Sequence, residues 1–351
     1  MRQLSFSGAI LEATQQCMRE DPSVIILGLG VPDPKGVFGT TIGLQEEFGD
    51  QRVFDSPIAE AAMAGIALGA SLDGHKVILA HQRVEFALLA IDQMVNQAAK
   101  WHYMFEGKAT CSIIFRLVIG RGWGTGPQHT QSLESWFGHI PGLRVVLPST
   151  PHDAKGQLIS AIKEGGVVVY VEHRWLHDSY GDVPEAIYMT PLTGAYVFQE
   201  GADITLVTYS YGIIEALRCS RLLREKFDIS VEILILRGVR PLDASEIIKS
   251  VEKTRRLMVL ENGWVTYGVG AEIITQVICA VDGVLLCKPL RMGMKEVPVP
   301  STRALANLVY PSSQEIVAAI IYAVKSIVVN AELLDLPKPS DIPDAAFMGP
   351  F

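Results

Sequence analysis

Short apolar runs alternate with amphipathic stretches through most of this chain, and that alternation restricts the fold more than any single residue does. Val24–Leu27, Val77–Ala80, Ser112–Val118, Arg144–Leu147 and Val167–Glu172 read as buried strands. Between them Ser7–Arg19, Ser56–Leu72, Phe86–Phe105 and Thr150–Glu164 have helical spacing. Such an order predicts a mostly parallel sheet covered on both faces. A second series follows, with strands Asp203–Tyr209, Val231–Leu236, Leu257–Glu261 and Val284–Pro289. Its helices are Tyr211–Glu225, Asp243–Lys253, Gly268–Ala280 and Ser312–Val328. The predicted class is α/β, in two domains with mostly parallel, helix-covered sheets. A length of 351 residues suits that division. His177–Leu192, with Gly181, Pro184 and Pro191, reads as a linker. The expected domains are therefore 1–190 and 191–330, with an extended, proline-bearing tail over 331–351.

Local signals set the expected helix starts. Ser7 is placed to cap the first helix, Ser56–Pro57 the second, and Thr150–Pro151 the fourth. Asp243…Glu246 and Ser312…Glu315 have capping-box spacing. The second helix carries Ala59, Ala61, Ala62, Ala64, Gly65, Ala67, Gly69 and Ala70, which suits close packing in a core. Glu60 lies in its first turn, where a carboxylate complements the helix dipole.

Composition narrows the function classes. Net charge is −8 with no basic block, which argues against nucleic acid. No apolar run is long enough to span a bilayer, and 49% apolar residues point to subunit contacts. Met1–Ser7 lacks a basic, then apolar, leader pattern. The five cysteines form no CxxC pair and sit mostly in apolar runs, as buried free thiols do. A reducing compartment, the cytoplasm, is the expected location.

The sequence's densest loop signal is Gly120–Arg121–Gly122–Trp123–Gly124–Thr125–Gly126–Pro127–Gln128–His129, directly after the strand ending near Val118. It delivers a histidine to a strand end, where ligands bind in open α/β sheets. Gly28–Leu29–Gly30 does not complete a dinucleotide fingerprint: Asp33 replaces the third glycine, and Pro32 and Pro34 block a helix. No GxxxxGK[ST], HExxH or GxSxG occurs, and no Cys/His cluster has zinc spacing.

Several motifs follow one another in a set order. They are Gly36–Val37–Phe38–Gly39–Thr40–Thr41, Asp55–Ser56–Pro57–Ile58–Ala59–Glu60, Ala90–Ile91–Asp92–Gln93…Asn96 and Gly126–Pro127–Gln128–His129–Thr130–Gln131–Ser132. His139–Ile140–Pro141–Gly142–Leu143, Pro148–Ser149–Thr150–Pro151–His152–Asp153–Ala154–Lys155–Gly156, Arg240–Pro241–Leu242–Asp243 and Glu261–Asn262–Gly263–Trp264 complete the series. From about Leu4 to about Val328 the chain resembles the β subunit of thiamine-diphosphate-dependent 2-oxo acid dehydrogenases, the E1 component. The resemblance implies a transketolase-like pyrimidine-binding domain and a transketolase C-terminal-like domain.

It also implies roles. Glu60 hydrogen-bonds N1′ of the aminopyrimidine and so promotes loss of the thiazolium C2 proton; burial strengthens that bond. Phe86 packs on the pyrimidine, Gln82 helps to hold the cofactor, and His129 assists proton transfer. Potassium is implied at Ile113, Ala161, Ile162, Glu164 and Gly166, largely through backbone oxygens. The diphosphate–Mg²⁺ motif is absent from this sequence, so Mg²⁺ and the diphosphate fall to an α subunit, in an α2β2 assembly serving a small 2-oxo acid. A lipoyl acyltransferase is the implied acceptor.

Three features depart from the family pattern. Leu29 stands where Glu is common, His81–Gln82–Arg83–Val84–Glu85 replaces an aromatic-rich run, and His173–Arg174–Trp175–Leu176–His177 follows the fifth strand. His81 and Arg83 are candidate substrate contacts; Arg83 has Glu85 or another subunit as an alternative partner. These departures keep open a carboligase or transketolase-like transferase, and a non-catalytic assembly subunit.

Overall fold

The computed structural model describes residues 2–122, 124–281, 283 and 285–336. Its described residues divide into two compact units, one within 2–120 and 136–192, the other within 121–135 and 193–336. Trp123 and residues 337–351, most of the expected tail, lie outside the described residues.

In the first unit the order is β1 (Arg2–Ser5), α1 (Phe6–Glu20), β2 (Val24–Leu27), β3 (Val53–Phe54), α2 (Glu60–Leu72) and β4 (Lys76–His81). Then come α3 (Ala99–Met104), β5 (Ile113–Ile119), β6 (Arg144–Val146), α4 (Pro151–Glu164), β7 (Val167–His173) and β8 (Tyr180–Val183). The parallel sheet runs β6-β7-β5-β4-β2-β3. From β2 the chain crosses to β3 on one side and then to β4 on the other. The strand order therefore reverses beside β2, which makes the carboxyl ends of β2 and β4 a ligand crevice. Every residue of β2, β5 and β7 is buried, as a sheet covered on both faces requires.

The second unit contains β9 (Ala195–Gln199), β10 (Ile204–Thr208), α5 (Gly212–Phe227), β11 (Val231–Leu236), α6 (Ser245–Thr254), β12 (Leu257–Trp264), α7 (Val269–Ala280), β13 (Leu290–Met294) and α8 (Ser313–Lys325). Its sheet runs β13-β12-β10-β11-β9, parallel except for β9. Ile204, Leu206, Ile233 and Leu260 form its core with Ile316 and Ile320 of α8.

Several local expectations are corrected. The cap of α1 is Ser5, whose hydroxyl accepts from Gly8 N at 3.0 Å; Ser7 instead donates to His177 O at 2.9 Å. Helix α2 begins at Glu60, not at Ser56, because Asp55 holds the preceding turn: its carboxylate accepts from Gly30 N at 2.8 Å and Ser56 N at 2.9 Å. The expected helix 86–105 is a 3₁₀ stretch (Val84–Ala90), a π stretch (Asp92–Ala98) and then α3. Such wide and tight turns re-aim side chains that a uniform helix would place elsewhere. Asp243 accepts from Ser245 N at 3.0 Å and forms a turn, so its capping box does not form; that at Ser312 and Glu315 does. The last strand lies at Leu290–Met294, not 284–289; Val284 is outside the described residues.

Residues 177–192 are no loose linker. β8 pairs antiparallel with β1. Fully buried Lys155 bonds the carbonyls of Pro184, Glu185 and Ala186 at 2.7–3.1 Å and Glu12 at 2.5 Å. A buried ammonium persists only with such partners. All five cysteines are free; Cys17, Cys111 and Cys219 are buried but Cys279 is exposed. Among the described residues no helix is long and apolar enough to cross a membrane.

Candidate active site

A small cleft lies at the carboxyl ends of β2 and β4. Leu29, Ser56, Pro57, Ile58, Glu60 and Met63 line one part of it. Leu79, Ala80, His81, Gln82 and Phe86 complete it. The structure thus brings together Glu60, His81, Gln82 and Phe86, four of the residues singled out in the sequence.

Each arrives for a local reason. Glu60 is the first residue of α2, beside backbone N–H groups that have no partner within the helix. It is half-buried in the single chain, more open than the expected burial. Gln82 leaves β4 and donates from Nε2 to Leu29 O at 3.2 Å, tying the ends of β4 and β2 together. Phe86 enters on the 3₁₀ turn that follows. Arg83 sits between them, half-buried, with its ionisation lowered by burial and opposed by Glu85.

His81 is the least ordinary of the set. It is 7% exposed, and its Nε2 is buried without a hydrogen-bond partner. Burial pushes its pKa down to about 4, so the imidazole is neutral at pH 7. A buried polar atom without a partner is costly, and His81 is also one of the residues lining the cleft. The residues therefore fit an aromatic heterocycle with polar edges: an aromatic face in Phe86, a carboxylate in Glu60 and an unmet nitrogen in His81.

The His81 shift has a stability consequence with a definite sign. Its folded pKa of about 4 lies below the ordinary histidine value of 6.5. Between those values the unfolded chain binds a proton that the folded chain refuses. Stability contributed by neutral His81 is thus present above pH 6.5 and is lost as pH falls towards 4, by at most about 3 kcal/mol. His81→Leu should flatten that part of the curve relative to wild type in urea titrations at stepped pH. Parallel curves would show that His81 does not titrate in this way.

His129 belongs to the second unit, half-buried on the glycine-rich loop. Thr130 Oγ1 donates to Gly126 O at 2.6 Å, closing the turn around it. Gly126 has φ +74°, and a Cβ there would lie 2.6 Å from Ser301 Oγ, so a side chain would be strained and would have to displace Ser301. The loop's end is held by fully buried Glu134, which accepts from Ser132 Oγ at 2.7 Å and Tyr209 OH at 2.9 Å. Burial raises the Glu134 carboxyl above its usual range, while those hydroxyls draw it back.

Sequence reasoning passed over this anchor and over a buried network beside β5 and β7. Arg116 donates to Glu172 Oε1 at 2.7 and 3.0 Å and to Thr40 Oγ1 at 2.8 Å. His177 lies 3.1 Å from Glu172 Oε2. Opposite charges facing each other across two parallel strands were visible only as Arg116 and Glu172 interrupting apolar runs.

The five residues expected around potassium do come together, at the turn from α4 into β7. Gly166 O accepts from Ile113 N at 3.1 Å, and Ala161 and Ile162 are buried in the last turn of α4. Arg144 lies beside that turn. Its NH1 donates to Glu164 Oε2 at 2.6 Å, and its NH2 donates to Gly165 O. No group of three or more His, Cys, Asp or Glu stands placed to hold a metal among the described residues.

Helix α2 also departs from expectation. Ala61, Ala62 and Gly69 are exposed, Ile58 is 79% exposed and Ile66 54%. Its small residues do not all serve the core; one apolar face is open in the single chain.

Comparison with known proteins agrees along nearly the whole length. The profile "Transketolase, pyrimidine binding domain" matches residues 2–178, and "Transketolase, C-terminal domain" matches 194–316. The chain is 36% identical over 318 residues to the pyruvate dehydrogenase E1 component subunit beta of Rickettsia felis, covering 91% of this chain and 97% of that protein. It is 38% identical over 328 residues to the acetoin:2,6-dichlorophenolindophenol oxidoreductase subunit beta of Cupriavidus necator, covering 91% and 96%. The mitochondrial pyruvate dehydrogenase E1 component subunit beta of Saccharomyces cerevisiae is 36% identical, covering 89% and 87%. A solved structure described as a split gene transketolase, inactive beta4 tetramer, shares the fold at a TM-score of 0.74 and 18% identity, over 92% of this chain and 98% of that one. The chain belongs to the transketolase-like family of E1 component β subunits of thiamine-diphosphate-dependent 2-oxo acid dehydrogenases.

Proposed function

We propose that this chain is the pyrimidine-binding half of a two-subunit enzyme that decarboxylates a small 2-oxo acid and passes the activated acyl or aldehyde unit onward. The observation that carries this reading is the cleft at β2 and β4, which Glu60, Gln82, Phe86 and His81 line together. Thiamine diphosphate, when bound, supplies the carbon nucleophile that adds to the ketone. Glu60 would hold a proton at N1′ of the aminopyrimidine, Phe86 would cover its face, and Gln82 would keep the cleft's two edges together. His129 would move a proton near the reacting carbon. Arg83 and His81 would meet the substrate side, a guanidinium being suited to a carboxylate.

The reading gives the diphosphate and Mg²⁺ to an α subunit in an α2β2 complex, with a lipoyl acyltransferase as acceptor and the cytoplasm as compartment. The open apolar face of α2 is what a subunit of such an assembly presents. The polar run His81–Gln82–Arg83 favours a second reading, a carboligase passing the aldehyde unit to a carbonyl compound.

Two measurements test the proposal. The isolated chain should show no micromolar, Mg²⁺-dependent binding of thiamine diphosphate by calorimetry, whereas the complex with its co-expressed α partner should bind. Tight binding by the single chain would overturn the half-site assignment. The complex should then consume a member of a 2-oxo acid panel. Turnover with lipoyl domain supports the dehydrogenase, turnover only with aldehydes the carboligase. No turnover despite bound cofactor would leave an assembly role.

A further inference from the structure

We propose that Tyr209 is a positioning residue for His129: through the buried carboxyl group of Glu134 and the hydroxyl of Ser132 it holds the turn that carries the histidine, so that the second unit sets where the histidine stands; this rests on the proton-moving role given to His129 above. Residues 121–135 leave β5 and lead back to β6, both in the first unit, yet they pack as part of the second. A glycine-rich stretch has little of its own to fix its course: Gly122, Gly124 and Gly126 all have positive φ, from +69° to +100°. Within the turn Thr130 Oγ1 donates to Gly126 O, and Gln131 Nε2 donates to Gln128 O at 3.1 Å. These local bonds shape the turn but do not fix it to the body of the unit.

The grip comes from the end of β10. Tyr209 OH donates to Glu134 Oε1 at 2.9 Å, and the other carboxyl oxygen accepts from Ser132 Oγ at 2.7 Å, three residues past His129. Tyr209, Glu134 and Ser132 are 1%, 2% and 7% exposed, so these bonds are made away from water, where such a network stiffens what it joins. Tyr209 is held in turn: Asn262 Nδ2 donates to its carbonyl at 3.1 Å. The next residue of β12, Gly263, leaves space for the cluster, since a Cβ there would stand 3.1 Å from Ser132 O and 3.5 Å from Glu134 Oε1. Asn262 and Gly263, in the last of the ordered motifs, thereby gain a use. Ser210, next to Tyr209, has φ +53°, a left-handed conformation that a residue with a side chain keeps only where its surroundings enforce it. Beyond it, Tyr211 meets the loop's entrance together with Tyr310: the Arg121 guanidinium carbon lies 5.6 Å and 4.1 Å from their ring centroids. Tyrosines on either side of Ser210 thus engage both ends of the segment that carries His129.

The test compares the wild-type complex, with its α partner, and the same complex carrying Tyr209→Phe, which loses one hydroxyl and keeps the ring. Hydrogen exchange read by mass spectrometry should quicken by about tenfold in peptides covering 125–133 and stay unchanged in β11 and α8. Turnover should fall by about tenfold, a misplacement of about 1 Å being able to cost a hundredfold, while KM and the rate of cofactor C2 proton exchange keep their wild-type values. A general loosening of the protein would not separate turnover from C2 exchange in this way. Ser132→Ala cuts the same link from the other side; it should reproduce both effects, and it serves should Tyr209→Phe not fold. Unchanged exchange over 125–133, or exchange quickened throughout the second unit, would overturn the proposal. So would a variant with a loosened turn and undiminished turnover. A wild-type complex that turns nothing over would instead defeat the functional reading, and exchange over 125–133 would then decide by itself whether Tyr209 holds the turn.

Discussion

In the assembled complex, Glu60→Gln should lower turnover by about a hundredfold or more while the fold stays intact. The side chain stands at the first position of α2 and is half-buried, and no helix hydrogen bond depends on it. Glutamine keeps the volume but replaces a carboxylate that can hold a proton by an amide that cannot. The direct measure is exchange of the cofactor's C2 proton by NMR, with circular dichroism as the control for folding. A hundredfold slower exchange supports the proton-holding role. An unchanged rate would reduce Glu60 to a charge complementing the α2 dipole, whose removal costs only a few tenths of a kcal/mol to about 1 kcal/mol.

Arg116→Met should destabilise the protein by about 3–5 kcal/mol, the usual cost of leaving a buried charge without its partner. Arg116 and Glu172 are 1% and 0% exposed, and their bond joins β5 to β7 in the middle of the sheet. Arg116 holds the Glu172 carboxyl below its usual range against the opposing effect of burial, with help from His177. That lowered pKa fixes the pH sign: the contribution is present above the unfolded carboxylate value and is lost as pH falls through the folded one. Urea unfolding of wild type and variant gives the difference. Arg116→Met combined with Glu172→Leu should recover much of the loss, because no charge is then stranded. A double variant as unstable as the single one would show that packing, not charge, sets the cost.

The two series of strands and helices were legible in the sequence because period and length are local properties of the chain. β2 and β11 match their predicted bounds, and β4, β5, β6 and β7 differ by a residue or so at their ends. The boundaries that failed did so where a distant group intervened. Asp55 reaches Gly30 and delays α2 to Glu60. The 3₁₀ and π turns after β4 carry Phe86 to the cleft, and nothing in the spacing of that segment distinguishes them from an ordinary helix. The linker signal at 177–192 was read from its glycine and prolines, yet Lys155 draws those carbonyls inward.

The site divides in the same way. The order of the motifs, through the family they resemble, pointed to Glu60, Gln82, Phe86 and His129 and to the type of chemistry they suit. Sequence could not show that Arg144, on another strand, pairs with the Glu164 carboxylate at the end of α4. It recorded His81 as a polar residue in an aromatic position. Only the tertiary structure decided that its Nε2 is buried without a partner, in a residue that lines the same cleft as Glu60. The physical reason is common to both cases. Periodicity and capping depend on neighbours a few residues away, whereas desolvation and charge pairing depend on which strands the sheet sets side by side.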